Sequence, residues 1–301
     1  MSARTDTPAA SASSLGPSRA GLSSLALKVV AIVGMTFNHA CYLFYPYLPV
    51  EARCVLFGVG GLTFPIMAFL LVEGYRHTSS IERYAGRLLA FALVAQVPYG
   101  LFLARNFNVL FTLLIGLGVL YADEHVRSRG AFWAVTAAGA LASLACDWGF
   151  VGVVVIVLFK KLGAGPCLRG CRSAQADSAP GAAPSAAAPA DAGSSRATYQ
   201  TADDAVPALL RTPLGAVAAP VLLVAVAEGL PLLGKLASAV AAGGDWSLLP
   251  FVLYPLVGCP ATIPLLYSYR GRRGLPMKWF FYAYYPAHIA VLGMVHLLVF
   301  G

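Results

Sequence analysis

Leu25 to Pro46 reads LALKVVAIVGMTFNHACYLFYP, with Lys28 as its one formally charged side chain. A helix needs about 20 consecutive apolar residues to cross a hydrocarbon core about 30 Å thick, and this run supplies them. Eight further apolar runs follow it, at about Val55–Tyr75, Leu88–Leu103, Val109–Tyr121, Ala131–Cys146, Phe150–Phe159, Leu214–Val240, Leu248–Tyr269 and Met277–Phe300. The fourth and sixth are short, and tilt, a thin bilayer or a re-entrant path would each accommodate them. The eighth contains Pro250, Pro255, Pro260 and Pro264. That density predicts a kinked or broken helix, whose freed backbone groups need protein or water neighbours inside a membrane.

The composition agrees with these runs. Charged residues make up 11% of the 301 and hydrophobic residues 58%, whereas a soluble domain carries about a quarter charged residues. The expectation is an all-α polytopic transmembrane helix bundle of about nine spans, a multi-pass protein of a cell membrane with the lipid bilayer as its partner. The net charge of +8 would suggest nucleic acid in a soluble chain. Here the basic residues sit in short loops between apolar runs, so they signal orientation and no nucleic-acid partner is expected. Residues 1–24, rich in Ala, Ser, Thr and Pro, read as a disordered cytoplasmic tail without a signal-peptide core. Residues 25–161 form the first part of the bundle, with about six helices. Residues 162–212 are dominated by Ala, Pro, Ser and Gly and read as a disordered cytoplasmic linker. Residues 213–301 form the second part, with about three helices.

Loop charges give an internal check. With nine spans and the N-terminus inside, the inner loops hold Arg76, Arg83, Arg87, Arg127, Arg129, Lys160, Lys161, Arg270 and Arg272 among others, and the outer loops hold little beyond Arg53 and Arg105. The positive-inside rule is then met at each alternation, and the C-terminus falls outside.

Polar side chains inside a bilayer are costly and usually face a cavity. Asn38 and His39, and Gln96 and Tyr99, fall in the outer half of their runs, Asn108 and Thr112, and Asp147 and Trp148, open theirs from the outside, and His288 lies near the middle of the last, so that all arrive at similar depth. One polar cavity opening toward the outer face follows from that coincidence. His39 and His288 serve there either as chemical groups or as structural hydrogen-bonding groups. Tyr284 and Tyr285 either cage His288 or belong to an interfacial belt. Asp147 is either a reactive acid or a helix cap. On the inner side, Glu73, Arg76, His77, Arg83 and Arg87 cluster; Glu73 reaches Arg76 and His77 at helical spacing. The arginines either orient the chain or bind an anion such as the phosphates of coenzyme A. Cys167 and Cys171, spaced C-x3-C without nearby histidine, are a weak metal signal, and no metal is expected.

The order of these motifs resembles the TraX family of integral membrane proteins. The likeness rests on LKVVAIVGMTFNHACYLFYP, GGLTFPIMAFLLVEGYRHT, RYAGRLLAFALVAQVPYG, NVLFTLLIGL, the DWG at Asp147–Gly149 and KWFFYAYYPAHIAVL. It covers about Leu25–Lys161 and Leu275–Val299; the linker looks like an insertion, and Leu214–Val240 matches nothing in it. The resemblance implies a membrane acetyltransferase that moves an acetyl group from acetyl-CoA to a pilin N-terminus or another surface acceptor such as a glycan. On that basis His39, with Asn38 and Asp147, is the catalytic group; Asn108, Gln96, His288 and Tyr285 bind substrate; and Arg76, Arg83, Arg87 and Glu73 hold acetyl-CoA. The family usually has Asp-His where this chain has Asn38-His39, which removes a charge that would steady an imidazolium. A small-molecule transporter or flippase, and a non-catalytic membrane assembly protein, are the competing readings.

Overall fold

A computed structural model describes residues 21–163 and 207–301, except 273 and 276. Among them every regular element is helical, and two isolated bridges, Leu22 with Tyr269 and Phe107 with Cys146, are the strand-like pairings. Each of the nine apolar runs lies on helix. The first is α1 (Ser24–Phe44). The second divides into α2 (Val50–Gly60) and α3 (Thr63–Arg76) at a Gly60–Gly61 pair, the kind of site where helices bend. The third is α4 (Ile81–Phe102), the fourth α5 (Val109–His125), the fifth α6 (Arg129–Ala142) and the sixth α7 (Gly149–Lys161). After the linker come α8 (Pro213–Gly243), α9 (Leu249–Leu253), a π-turn at Tyr254–Gly258, α10 (Thr262–Tyr267) and α11 (Lys278–Phe300).

Among the described residues, six helical stretches are long and apolar enough to cross a membrane: Ser24–Tyr47, Val50–Arg76, Ile81–Phe102, Pro213–Gly243, Leu249–Tyr267 and Trp279–Phe300. The other three predicted spans are shorter. At 17, 14 and 13 residues and 1.5 Å per residue, α5, α6 and α7 rise about 25, 21 and 20 Å against a core of about 30 Å. An exposed apolar surface suited to lipid is present. On α4, Leu89, Leu93, Val97 and Leu101 form an i, i+4 stripe whose exposure rises from 42% to 73%. Such a stripe would be an aggregation site in water and is ordinary against acyl chains.

Helix starts follow local chemistry. Ser23, Ser80, Asn108, Ser128 and Thr212 each accept a hydrogen bond from a first-turn amide, satisfying donors that the helix itself cannot. Inside the bundle α1 packs on α2, α3 and α11, α4 lies between α5 and α11, and α7 touches α3, α5, α6 and α8. Small residues allow the closest crossing. A Cβ on Gly258 would lie 2.2 Å from the Gly58 carbonyl oxygen, and one on Gly61 2.4 Å from the Tyr254 carbonyl oxygen. The prolines of the eighth run thus do break it, and the break is held against the glycines of α2.

Residues 1–20 of the predicted tail and 164–206 of the predicted linker lie outside the described residues. Where those segments are described they have backbone partners. Leu22 N donates to Ser268 O (3.0 Å), Arg270 N to Leu22 O (3.1 Å) and Ser24 N to Arg272 O (2.8 Å). Ala208–Arg211 is a 3-10 turn leading into α8.

Candidate functional site

Two cavities enter the bundle from opposite ends of α1. The first, about 480 Å³, is lined near the helix ends by Lys28, Glu73, His77, Tyr84 and Arg87, and deeper by Met35, Leu113 and Tyr285. The second, about 520 Å³, is lined by Asn38, His39, Tyr99, Asp147, Glu228 and Tyr254, with further aromatic and aliphatic walls. Met35 closes the first cavity and His39 lines the second. They are one helical turn apart on the same face of α1, so the partition there is about 5.4 Å of helix.

At that partition two histidines meet. His39 Nδ1 lies 2.7 Å from His288 Nε2, with the ring planes 8° apart. Both side chains are 7% exposed. The His288 ring stacks on Tyr284 at 5.1 Å, and its Nδ1 donates to the Tyr284 carbonyl at 2.9 Å. The Tyr284 hydroxyl bonds the Thr36 hydroxyl at 2.7 Å, which sets the register of α11 on α1 one turn before His39. Tyr285 stands edge-on to His39 at 6.2 Å. Since His39 spends Nδ1 on His288, Nε2 is the ring nitrogen available to a molecule in the second cavity.

Asp147 reaches that cavity from the turn before α7. Its amide donates to Phe107 O at 2.7 Å, and its carbonyl accepts from the Thr112 hydroxyl. Trp148 follows in left-handed conformation at φ +68°, where a bulky residue is uncommon and costs about 1–3 kcal/mol. Its indole stacks on Phe64 at 4.0 Å, and that packing holds the turn and aims Asp147.

The predicted residues therefore divide. Asn38, His39 and Asp147 share the second cavity, and His288 stands behind His39. Tyr285 lines the first cavity instead. Asn108 and Gln96 line neither. Asn108 is fully buried, caps α5 through Oδ1 to Leu110 N, and donates Nδ2 to Ala92 O and Gln96 Oε1. Gln96 also accepts from Asn108 N and donates to Asn106 O. Their polar atoms are engaged with each other and with backbone, so they fasten α4 to α5. Of the inner group, Glu73 and Arg87 line the first cavity; Arg76 and Arg83 are exposed and do not. Glu73 is 7% exposed, 3.8 Å from Arg76 and 3.6 Å from His77, and accepts from the Tyr269 hydroxyl at 3.3 Å. Arg87 Nε is buried without a hydrogen-bond partner.

Sequence reasoning passed over Glu228, which lines the second cavity from the middle of α8. The signal was available, because an acid inside a 31-residue apolar helix is a functional candidate by default. Lys28, on the first turns of α1, also lines a cavity, and its place inside an apolar run gives the same kind of signal. Cys167 and Cys171 lie outside the described residues.

Comparison with known proteins fits this arrangement. The sequence profile described as TraX protein matches residues 23–192 and 209–296, most of the chain. The chain belongs to the TraX family. Within this TraX protein the matched region takes in α8, the span that the motif resemblance had left out, and with it Glu228. A relative from Dichelobacter nodosus, named probable fimbrial assembly protein FimC, serogroup H1, is 35% identical over 145 residues. That alignment covers 44% of this chain and 59% of the relative, so the two correspond over little more than half of the relative's length. No solved structure matches. Family membership and the six apolar stretches together make this a multi-pass membrane protein.

Proposed function

We propose that this TraX protein is a membrane acetyltransferase that passes an acetyl group from acetyl-CoA, entering the first cavity, to an amine entering the second. The observation that carries the reading is the partition itself: a paired, buried histidine at the one helical turn separating a cavity that holds Lys28 and Arg87 from one that holds Asp147 and Glu228. Lys28 and Arg87 give the first cavity cationic groups at its helix-end side, beside Glu73, suited to phosphates. The unpartnered Arg87 Nε is a buried donor of the kind an anion satisfies. Met35, Leu70 and Leu113 offer apolar contact to an acyl-bearing arm deeper in. Asp147 and Glu228 give the second cavity two carboxylates and no lysine or arginine. That favours a protonatable amine, such as a peptide N-terminus, over the hydroxyl of a glycan. The basic residues at the first cavity's end of the bundle support a cytoplasmic orientation for it, the side where acetyl-CoA is made.

The chemistry needs a base at the meeting point. His39 Nε2 takes a proton from the neutral amine as its nitrogen attacks the thioester carbonyl. The C–N bond forms, the C–S bond breaks, and His39 returns the proton to the departing thiolate. Asn38 offers its amide to the developing oxyanion. The acid that the family usually has at position 38 is replaced here by a donor, while negative charge is supplied by Asp147 across the same cavity.

A second reading is a non-catalytic assembly protein, favoured by the Asp-to-Asn departure at position 38 and by the name of the Dichelobacter relative. One experiment separates the two. Membranes containing the wild type or His39→Ala receive labelled acetyl-CoA and a short peptide with a free N-terminal amine. The transfer reading expects peptide acetylation, reduced about 10²–10⁴-fold in the variant. Equal label in both, or none in either, rejects it.

A further inference from the structure

We propose that His288 is a positioning residue that fixes the tautomer of His39, presenting the unprotonated Nε2 of His39 to the second cavity. The inference rests on the transfer reading for its consequence and on hydrogen bonding alone for its geometry. A carbonyl oxygen can only accept. His288 Nδ1, at 2.9 Å from the Tyr284 carbonyl, therefore carries a proton. A neutral imidazole has one N–H, so His288 Nε2 holds a lone pair. His39 Nδ1 lies 2.7 Å from it and must be the donor. That leaves the lone pair of His39 on Nε2. The nearly parallel planes and the short N···N separation set the rings end to end, since face-to-face rings cannot bring two nitrogens that close. Among the described residues no carboxylate pairs with either ring, and a buried imidazolium without one is costly.

In water an imidazole exchanges its proton between both nitrogens, and the wrong tautomer offers an N–H where a base is needed. A neighbour bonded to the other nitrogen sets the choice. His288 is itself held on both sides, by its bond to the Tyr284 carbonyl and by its ring stacking on Tyr284, whose hydroxyl is tied to Thr36 on α1. Here a neutral acceptor occupies the place an acid takes in a Ser-His-Asp triad.

The test uses the full-length chain in lipid nanodiscs with ring-15N histidine, its five histidines assigned by single substitutions. Expected for the wild type is Nδ1 protonation of both His39 and His288, with a nitrogen–nitrogen coupling across their hydrogen bond. His288→Leu should let His39 move its proton to Nε2. His288→Gln, whose amide oxygen can accept from His39 Nδ1, should keep the wild-type pattern. With labelled acetyl-CoA and a short free-amine peptide, kcat should fall about 10²–10⁴-fold in His288→Leu at unchanged KM for the peptide, and recover most of that loss in His288→Gln. Nε2 protonation of His39 in the wild type, or the same tautomer and rate in both variants, overturns the proposal. The tautomer is read without turnover, so absence of transfer by the wild type rejects the enzyme reading and leaves this result to be judged by itself.

Discussion

At the scale of single residues, depth along an apolar run located most of the polar side chains but not what they touch. Asn38, His39 and Asp147 share a cavity as their depth implied. Asn108 lies at a similar depth and does something else, because an Asn just before an apolar run is also an N-cap signature, and here the cap prevails. Asn108→Ala should lower thermal stability by about 1–2 kcal/mol from the lost cap, and by more once Gln96 is left without its buried partner. Unfolding in detergent followed by circular dichroism checks this, and under the transfer reading the KM for the peptide stays unchanged. Glu228 makes the opposite case, being hidden in a long run whose mean hydropathy masks it. Glu228→Gln should raise the KM for a peptide amine about 10-fold, equivalent to about 1.4 kcal/mol of binding, with kcat little affected. Steady-state kinetics with peptide as the varied substrate decide it.

Among the elements, the nine apolar runs and the proline break in the eighth were legible from hydropathy and backbone chemistry. The split of the second run was not, because Gly58, Gly60 and Gly61 count as apolar in a hydropathy window while the helix feels them as a bend. Their function is a close crossing with the π-turn at Tyr254–Gly258, a contact between residues about 200 positions apart that no local pattern reveals. Tyr254 and Pro255 of that turn wall the second cavity, and π-turns are frequent at functional sites. Gly258→Ala should destabilise the fold by about 1–3 kcal/mol, because both nearest obstacles are backbone atoms that must move. Gly118→Ala, on an exposed face of α5 with nothing within 4 Å of the added carbon, should be neutral or stabilising by up to about 1 kcal/mol. Parallel melting curves of the two variants provide the comparison.

For the molecule as a whole, the sequence pointed to one polar cavity on the outer side and an arginine-rich loop on the inner side. The structure brings two cavities within a helical turn of each other. The first of them was not legible because its cationic lining comes from Lys28 and Arg87 on different helices, while Arg76 and Arg83, the more obvious loop arginines, are exposed and do not line it. The helices α5, α6 and α7, at 17, 14 and 13 residues, are not among the six stretches long and apolar enough to cross a membrane, and counting apolar residues registers that shortness only in part. The central claim is that the proposed acetyl transfer joins a donor entering from one face of the bundle to an acceptor entering from the other, with His39, oriented by His288, as the base. It is tested most directly in sealed, unidirectionally oriented proteoliposomes, with labelled acetyl-CoA on the Lys28–Arg87 face and a membrane-impermeant free-amine peptide on the Asp147–Glu228 face. The account expects labelled peptide from the wild type and a loss of about 10²-fold or more in His39→Ala. Labelling that requires peptide and acetyl-CoA on the same face, or that survives His39→Ala undiminished, would contradict it.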